Sequence, residues 1–469
     1  MNLSCADIVK VVGAEIKNSA STANLSFQAV LTDSRVNLSN ALFVALKGEN
    51  FDAHNFLDKA VEAGASALCI NRNTPIELYK NICVPVLLVP DTLLAYQQIA
   101  NFHRRSFANL IVVGITGSVG KTSTKEIMKA VAVKKFGEEA VLYTLGNTNN
   151  QVGVPQNLLR LNENHRIAII EMGTNHFGEI RPLSLCAEPD YAIINSVAPC
   201  HLENLIDLEG VAKEKSDIFV GVKAGGYAIF ANNIAEKSIL IEKATAYSLK
   251  IESYGEYDEN NYFSANYVSG NLLESKFDLI NHKNSTKTQV TWQISGEHQA
   301  CNASGAAVVG SLLGLSDSEI AEALANASLS GMRMRKTSLN GVTYLNDAYN
   351  ANPASMKATL KNLKDIAESK KLILILGDML ELGSSEIAQH AEILDYAVEN
   401  FPSAVVIAVG KLMKQAGLNK NFANVIYVDN SVIAGERLPN YISDGSDTLV
   451  FLKGSRGMRL ENAIPEEAR

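Results

Sequence analysis

Hydrophobic positions along this chain come in short runs separated by turn residues. Between residues 1 and 90, Ala41-Leu42-Phe43-Val44-Ala45-Leu46 and Ala67-Leu68-Cys69-Ile70 have strand length, which predicts a small α/β domain. Over residues 93–107, Leu93, Tyr96, Ile99, Ala100 and His103 share one helical face, and the run Leu110-Ile111-Val112-Val113-Gly114-Ile115 behind them predicts a buried strand. Residues 167–170 and 191–194 repeat that signature with helical stretches between, the rhythm of a parallel sheet with crossover helices. The pattern changes over residues 247–295. Polar and apolar residues alternate around Phe277-Asp278-Leu279-Ile280 and Val290-Thr291-Trp292-Gln293-Ile294, predicting an antiparallel β section attached to the same domain. From about Arg335 the parallel rhythm resumes, with strand-like runs at 372–376, 404–409 and 449–452. The expected fold is therefore α/β with three domains: 1–90, small; 91–333, a parallel sheet plus antiparallel section; and 334–469, Rossmann-like. A length of 469 residues agrees, at roughly 100–200 residues per domain.

Composition acts on this picture by exclusion. The chain is 47% hydrophobic and 20% charged, as in soluble globular proteins, and no apolar run approaches the ~20 residues that span a bilayer. Membrane insertion is not expected. The residues after Met1 lack the basic start and apolar stretch of a secretory signal, so a cytoplasmic location is expected. Cys5, Cys69, Cys83, Cys186, Cys200 and Cys301 are scattered without a CxxC pair, which suggests neither a zinc site nor a disulfide framework. A net charge of -8 gives no reason to expect a nucleic acid partner. Any phosphate chemistry must come from a local motif.

Such a motif is present. Gly114-Ile115-Thr116-Gly117-Ser118-Val119-Gly120-Lys121-Thr122 lies between a predicted strand and a predicted helix, the setting of a P-loop. Glycines let the backbone turn its N–H groups toward phosphate, Lys121 can meet the terminal phosphates, and the Thr122 hydroxyl can serve Mg²⁺. The strict GxxxxGK[ST] spacing is not met. The position five before Gly120 is Ile115, and the loop glycines read from the sequence are Gly114 and Gly117.

The segment Gly117-Ser118-Val119-Gly120-Lys121-Thr122-Ser123 resembles the short G-x-x-G-K-T-[ST] loop of the Mur ligase and folylpolyglutamate synthase superfamily. Glu171-Met172-Gly173, His201-Leu202-Glu203 and Lys213-Glu214-Lys215 follow in that superfamily's order. Gly146-Asn147-Thr148-Asn149-Asn150-Gln151-Val152-Gly153-Val154-Pro155, Asp347-Ala348-Tyr349-Asn350-Ala351-Asn352-Pro353 and Leu376-Gly377-Asp378-Met379-Leu380-Glu381-Leu382-Gly383 resemble motifs of its dipeptide-adding branch. The resemblance covers nearly the whole chain. It implies an ATP- and Mg²⁺-dependent ligase, a monomer, that joins D-alanyl-D-alanine to UDP-N-acetylmuramoyl-tripeptide through an acyl phosphate. The first domain would hold the UDP-substrate, the second ATP, and the third would complete the ligase site. Third-residue addition, folate polyglutamylation and a nucleotide-binding module without ligase chemistry are the alternatives.

The resemblance also implies roles residue by residue. Gly117, Ser118, Gly120, Lys121, Thr122 and Ser123 would hold ATP, with His298 and Asn302 beside the adenine. Arg333, or Arg335 in the adjacent register, would reach phosphate and Asp347 the ribose. Thr122, Glu171, His201 and Lys215 would hold metal, Lys215 as a carbamylated lysine, with Lys213 as the register alternative. Lys121, Lys215, His201 and Arg333 would be the catalytic set. Ser34, Arg35, Asp52 and His54 would hold the UDP-sugar and Asn149 and Asn150 the peptide, while Tyr349, Asn350, Asn352, Lys453 and Ser455 would face peptide or incoming amine. Taken without the resemblance, several of these residues have plainer readings. Thr32-Asp33-Ser34-Arg35 reads as an Asx turn with a solvated arginine, and Asn149 and Asn150 read as loop amides serving local backbone. His298 reads as a helix cap, Lys215 as a surface lysine paired weakly with Glu214 or Asp217, and Lys453-Gly454-Ser455-Arg456 as an exposed basic turn.

Overall fold

Strands Ile111–Thr116 and Ile167–Glu171 are buried almost throughout, because the sheet they enter is covered on both faces and needs no alternation of polar residues. A computed structural model describes residues 2–18, 24–367, 370–442 and 447–469 of the chain. In it these strands pair in parallel within a nine-stranded sheet. From one edge the order is Thr286–Trp292, Ser275–Asn281, Phe263–Gly270, Lys250–Gly255, Tyr227–Ala231, Tyr191–Ile194, Ile111–Thr116, Ile167–Glu171 and Val141–Tyr143. The three strands at the first edge form an antiparallel meander, as the alternation over residues 247–295 predicts. After Ile111–Thr116 the chain runs to the Val141–Tyr143 edge, returns through Ile167–Glu171, and then crosses to Tyr191–Ile194 on the other side. That reversal opens a crevice at the carboxyl ends of three adjacent strands, the usual ligand position in an open α/β sheet.

The C-terminal part repeats the principle. Arg335–Leu339, Val342–Asn346, Thr448–Lys453, Lys371–Gly377, Val405–Val409 and Val425–Val428 form a six-stranded sheet that is parallel except for its first strand. The motif residues Asp347, Asp378 and Lys453 fall at the carboxyl ends of three neighbouring strands. The N-terminal part has a five-stranded sheet, with Glu15–Lys17 antiparallel and Val86–Val89, Ala67–Asn71, Ala41–Val44 and Ala29–Leu31 parallel.

The three large sheets are not equally joined. Helix Thr92–Arg105, capped by the Asp91 side chain, contributes Ala95, Tyr96, Ile99 and Ala100 to one apolar core. That core contains both Ile8, Leu42 and Leu87 of the N-terminal part and Val112, Ala168 and Ile194 of the central sheet. The C-terminal sheet has cores of its own, and Leu272, from a hairpin tip of the central part, packs against one of them. Burial of continuous apolar surface welds the first two parts, whereas the third meets the second mainly across a cleft.

Candidate active site

The phosphate-binding loop leaves the central sheet at Thr116. Gly114, read from the sequence as a loop glycine, lies inside the strand. A Cβ there would stand 3.0 Å from Pro189 and 3.3 Å from both Ile218 and Met172, so that glycine permits helix-to-sheet packing. The glycines of the loop are Gly117 and Gly120. Gly120 has φ 85° and precedes helix Lys121–Phe136, where an added Cβ would stand 3.1 Å from Asn302 Oδ1. Backbone N–H groups of Ser118 and Val119 donate to Ser196, which fixes the loop on the neighbouring strand end. Lys121 Nζ donates to the Gly117 carbonyl at 2.7 Å, folded over its own loop. Thr122 Oγ1 donates to Glu171 Oε2 at 2.9 Å, and Asn149 Nδ2 donates to Glu171 Oε1 at 2.8 Å. Glu171 is 1% exposed, and no cation is paired with it among the described residues. A buried carboxylate beside a threonine hydroxyl at a helix N-terminus, with no cation of its own, is a set of hard oxygen donors that fits Mg²⁺.

Lys215 is 2% exposed at the end of helix Leu208–Ser216, which rules out the surface-lysine reading. Its ammonium makes no hydrogen bond or ion pair with a described residue. Burial lowers its pKa to about 8; Lys121 pushes in the same direction, and the nearby Cys200 and Glu214 oppose it. Lys213, two residues earlier, is exposed and pairs with Glu209 at 2.5 Å. Glu214 is used elsewhere: its carboxylate accepts from the N–H groups of Gly178, Glu179 and Ile180. His201 lies in the cleft wall with φ 51°, and its Nδ1 is 2.8 Å from the carboxylate of Glu381, itself at φ 66°. This contact crosses from the central to the C-terminal part, and the hydrogen bond to His201 holds the Glu381 carboxyl below its ordinary pKa.

The opposite wall is C-terminal. The Arg333 guanidinium stands 3.8 Å from the centre of the Tyr349 ring and faces the cleft, while Arg335 enters a strand and donates to the Arg469 carbonyl. Of the two arginines, Arg333 is the one that lines this cleft. Lys453 and Ser455 are 3% and 4% exposed, so the exposed-turn reading fails for both. Lys453 Nζ lies 2.6 Å from Asp347 Oδ2, and Ser455 Oγ accepts from the Leu380 N–H. Asn352 caps helix Pro353–Ile366 in a reciprocal arrangement with Ser355, so its carboxamide oxygen is already engaged. Asn350 lines the cleft. His298 stands inside helix Glu297–Leu312 rather than capping it; the N-cap is Gly296, and desolvation lowers the ring's pKa to about 4.

Together these walls enclose a cleft of about 910 Å³. It brings together the P-loop, Glu171, His201, Asn149, Asn150, His298, Asn302, Arg333, Asp347, Tyr349, Asn350, Asn352, Lys453 and Ser455. Within it, Asn150 Oδ1 serves local backbone, accepting from Val152 and Gly153. Ser34, Arg35, Asp52 and His54 do not line it. Arg35 is exposed and paired with Asp33, and both ring nitrogens of His54 are engaged, Nδ1 with Asp52 and Nε2 accepting from the Asn71 N–H. The structure adds residues that sequence reasoning passed over. Asn195 and Ser196 follow strand Tyr191–Ile194, and the strand-end position was the available signal; Gln299, Tyr254 and Glu179 line the same cleft.

Comparison with known proteins accords with this geometry. Residues 115–310 match the Mur ligase middle domain and residues 332–456 the Mur ligase, glutamate ligase domain. UDP-N-acetylmuramoyl-tripeptide–D-alanyl-D-alanine ligase of Bacillus subtilis is 34% identical over 443 residues, covering 93% of this chain and 92% of that protein. The crystal structure of MurF from Acinetobacter baumannii superposes with a TM-score of 0.90 at 28% identity, covering 99% and 98% of the two chains. A Thermotoga maritima MurF ligase in complex with ADP shares the fold, with a TM-score of 0.80 at 23% identity over 93% of this chain and 96% of that one. With two domain matches and similarity along almost its full length, the chain belongs to the Mur ligase family.

Proposed function

We infer that this protein is the ATP-dependent ligase that adds D-alanyl-D-alanine to UDP-N-acetylmuramoyl-tripeptide, giving UDP-N-acetylmuramoyl-pentapeptide, ADP and phosphate for peptidoglycan synthesis in the cytosol. The observation that carries this reading is the meeting of two walls in one cleft. The P-loop and Glu171 face the Asp347–Asn352 segment and Lys453, in a chain that aligns almost end to end with ligases of that activity. We place the working divisions at residues 1–90, 91–333 and 334–469.

Forming an amide from a carboxylate is uphill, so the carboxylate oxygen must first become a phosphate leaving group. In our reading Lys121 swings from the Gly117 carbonyl onto the transferring phosphoryl group, and the N–H groups at the helix start hold its oxygens. Arg333, poised on Tyr349, supplies a second cation from the opposite wall. Thr122 and Glu171 would hold Mg²⁺, with His201 offering the ring nitrogen that Glu381 leaves unused. The ion would neutralise charge that builds on the phosphate oxygens. An ammonium does not suit such a site, but a neutral amine does react with CO₂. We therefore assign Lys215 as the carbamylated lysine, its anion directed to the same metal region. Asp347 faces the ribose and His298 and Asn302 the adenine, while Asn149 orients the UDP-linked peptide. The exposed Ser34–Arg35 turn and the Asp52–His54 segment serve the UDP end, His54 by holding its loop. The amine then attacks the acyl carbonyl and phosphate leaves.

The test is direct. Purified protein with UDP-N-acetylmuramoyl-tripeptide, D-alanyl-D-alanine, ATP and Mg²⁺ should yield the pentapeptide with one phosphate per product. Folded protein that binds ATP but releases no substrate-dependent phosphate would overturn the reading, and activity confined to folate or to free amino acids would move it to another branch.

A further inference from the structure

Lys453 ends the last strand of the C-terminal sheet, at a position where an incoming amine would be expected to meet it. Its geometry points elsewhere. The side chain is 4% exposed, and Nζ lies 2.6 Å from Asp347 Oδ2, 3.3 Å from the Asn350 carbonyl and 3.5 Å from the Asp347 carbonyl. An ammonium has three protons to donate, and here all three are directed at the one loop that carries Asp347. No donor is left over for a substrate. A second cation would also repel a protonated amine.

The carboxylate that Lys453 holds is shared further. Thr359 Oγ1 lies 3.2 Å from Asp347 Oδ2 and 2.9 Å from the Ser355 carbonyl, its one proton shared between them, and the backbone N–H of Met334 donates to Oδ1 at 3.3 Å. Met334 adopts φ 55°, a left-handed conformation that a residue with a side chain keeps only when its surroundings hold it. It follows Arg333 directly in the segment joining the central and C-terminal sheets. Lys453, Asp347, the Met334 backbone and Arg333 therefore form one connected series, running from the end of strand Thr448–Lys453 to the segment that precedes strand Arg335–Leu339. His298 of the central part is close enough to the pair that both charges act on its ring.

We propose that Lys453 is a positioning residue of the nucleotide site, fixing the Asp347 carboxylate, and through it Met334 and Arg333, without touching either peptide substrate. The proposal rests on the reading of Asp347 as the partner of the ATP ribose. A cation at this distance holds the carboxylate in one rotamer. So held, it presents its oxygens to two sugar hydroxyls; with the cation gone, Asp347 keeps only neutral donors and loses its fixed aim.

The experiment is calorimetric binding of ADP to the full-length protein and to Lys453→Met, Lys453→Arg, Asp347→Asn and the Lys453→Met/Asp347→Asn double variant, with KM for ATP and for D-alanyl-D-alanine. Each of Lys453→Met and Asp347→Asn should weaken ADP about tenfold. The double variant should be no weaker than Asp347→Asn alone, because residues acting through one contact do not add. Lys453→Arg should recover part of the loss, and KM for D-alanyl-D-alanine should stay unchanged. If Lys453→Met, with the Asp347 carboxylate left without its cation, does not fold, the double variant, with both charges removed, still makes the comparison with Asp347→Asn. A double variant clearly weaker than Asp347→Asn overturns the proposal. So does normal ADP affinity in Lys453→Met while Asp347→Asn is impaired, or a rise confined to the KM of D-alanyl-D-alanine. Normal ADP affinity in Asp347→Asn removes the ribose reading itself, and the proposal falls with it.

Discussion

Replacing Lys215 by methionine should make the protein more stable and inactive at once. Methionine keeps the apolar stem and approximate volume of lysine while removing the charge, so packing losses should stay below about 1.5 kcal/mol. Lys215 is buried without a hydrogen-bond or ion-pair partner among the described residues, and its pKa falls from 10.5 to about 8. That depression means the folded chain holds the ammonium at a cost of about 3 kcal/mol, at ~1.4 kcal/mol per tenfold. Between pH 8 and 10.5 the unfolded chain binds the additional proton, so stability of the parent rises with pH across that window. Below pH 8 the full penalty is present. The methionine variant escapes it. In CO₂-free buffer at pH 7 its transition should lie above the parent's by up to roughly 6–12 °C if the central region unfolds as one unit. The gap should close as pH approaches 10.5. The assay is thermal unfolding of both proteins at pH 7 and 10, with turnover measured on the same samples. A variant less stable than the parent at pH 7, or a gap unchanged at pH 10, would refute the argument from burial. Near-normal turnover would refute the catalytic assignment.

Lys215→Ala should lose most activity and regain part of it with acetate or formate, which can enter the vacated anionic position, while Lys213→Ala should be mild because its ion pair with Glu209 is exposed; phosphate release with and without the acids decides this. Lys121→Ala should lower kcat about a thousandfold or more with little change in melting temperature, since among the described residues Nζ hydrogen-bonds to the Gly117 carbonyl alone; substantial turnover at saturating ATP would remove its role. Glu171→Gln should raise the Mg²⁺ concentration needed for half-maximal nucleotide binding about 10–100-fold, read by titrating Mg²⁺ against a fluorescent ATP analogue; an unchanged requirement would place the metal elsewhere. ATP analogue with UDP-substrate should compact the chain by moving the C-terminal part alone, because the first two parts share one core; small-angle scattering with identical dimensions in both states would count against closure.

Much of this protein is legible before any coordinates exist, for reasons that are local. The parallel strands are continuous apolar runs because both their faces are covered, and the meander at residues 263–292 alternates in part because one of its faces turns to water. The P-loop declares itself because phosphate binding needs small residues, a lysine and a hydroxyl at neighbouring positions, and neighbouring positions are what a sequence displays. Even there Gly114 was misplaced, since a glycine kept for helix packing looks the same in sequence as one kept for a turn. The rest was decided by distance in space. That Lys215 is buried while Lys213 is exposed and paired depends on which side of a helix faces the sheet, and two lysines two residues apart carry no sign of it. Lys453 reads as a basic turn until a neighbouring parallel strand, more than a hundred residues earlier, brings Asp347 to its ammonium. Arg333 is separated from Arg335 only by the turn of the chain at Met334, which sends one to the cleft and the other into a strand. The sequence alone determined the elements, their order and the chemistry on offer. Only the packing of sheets against one another decided which charges are paired, which are stranded, and which therefore have work left to do, because burial and pairing belong to the arrangement rather than to the residue.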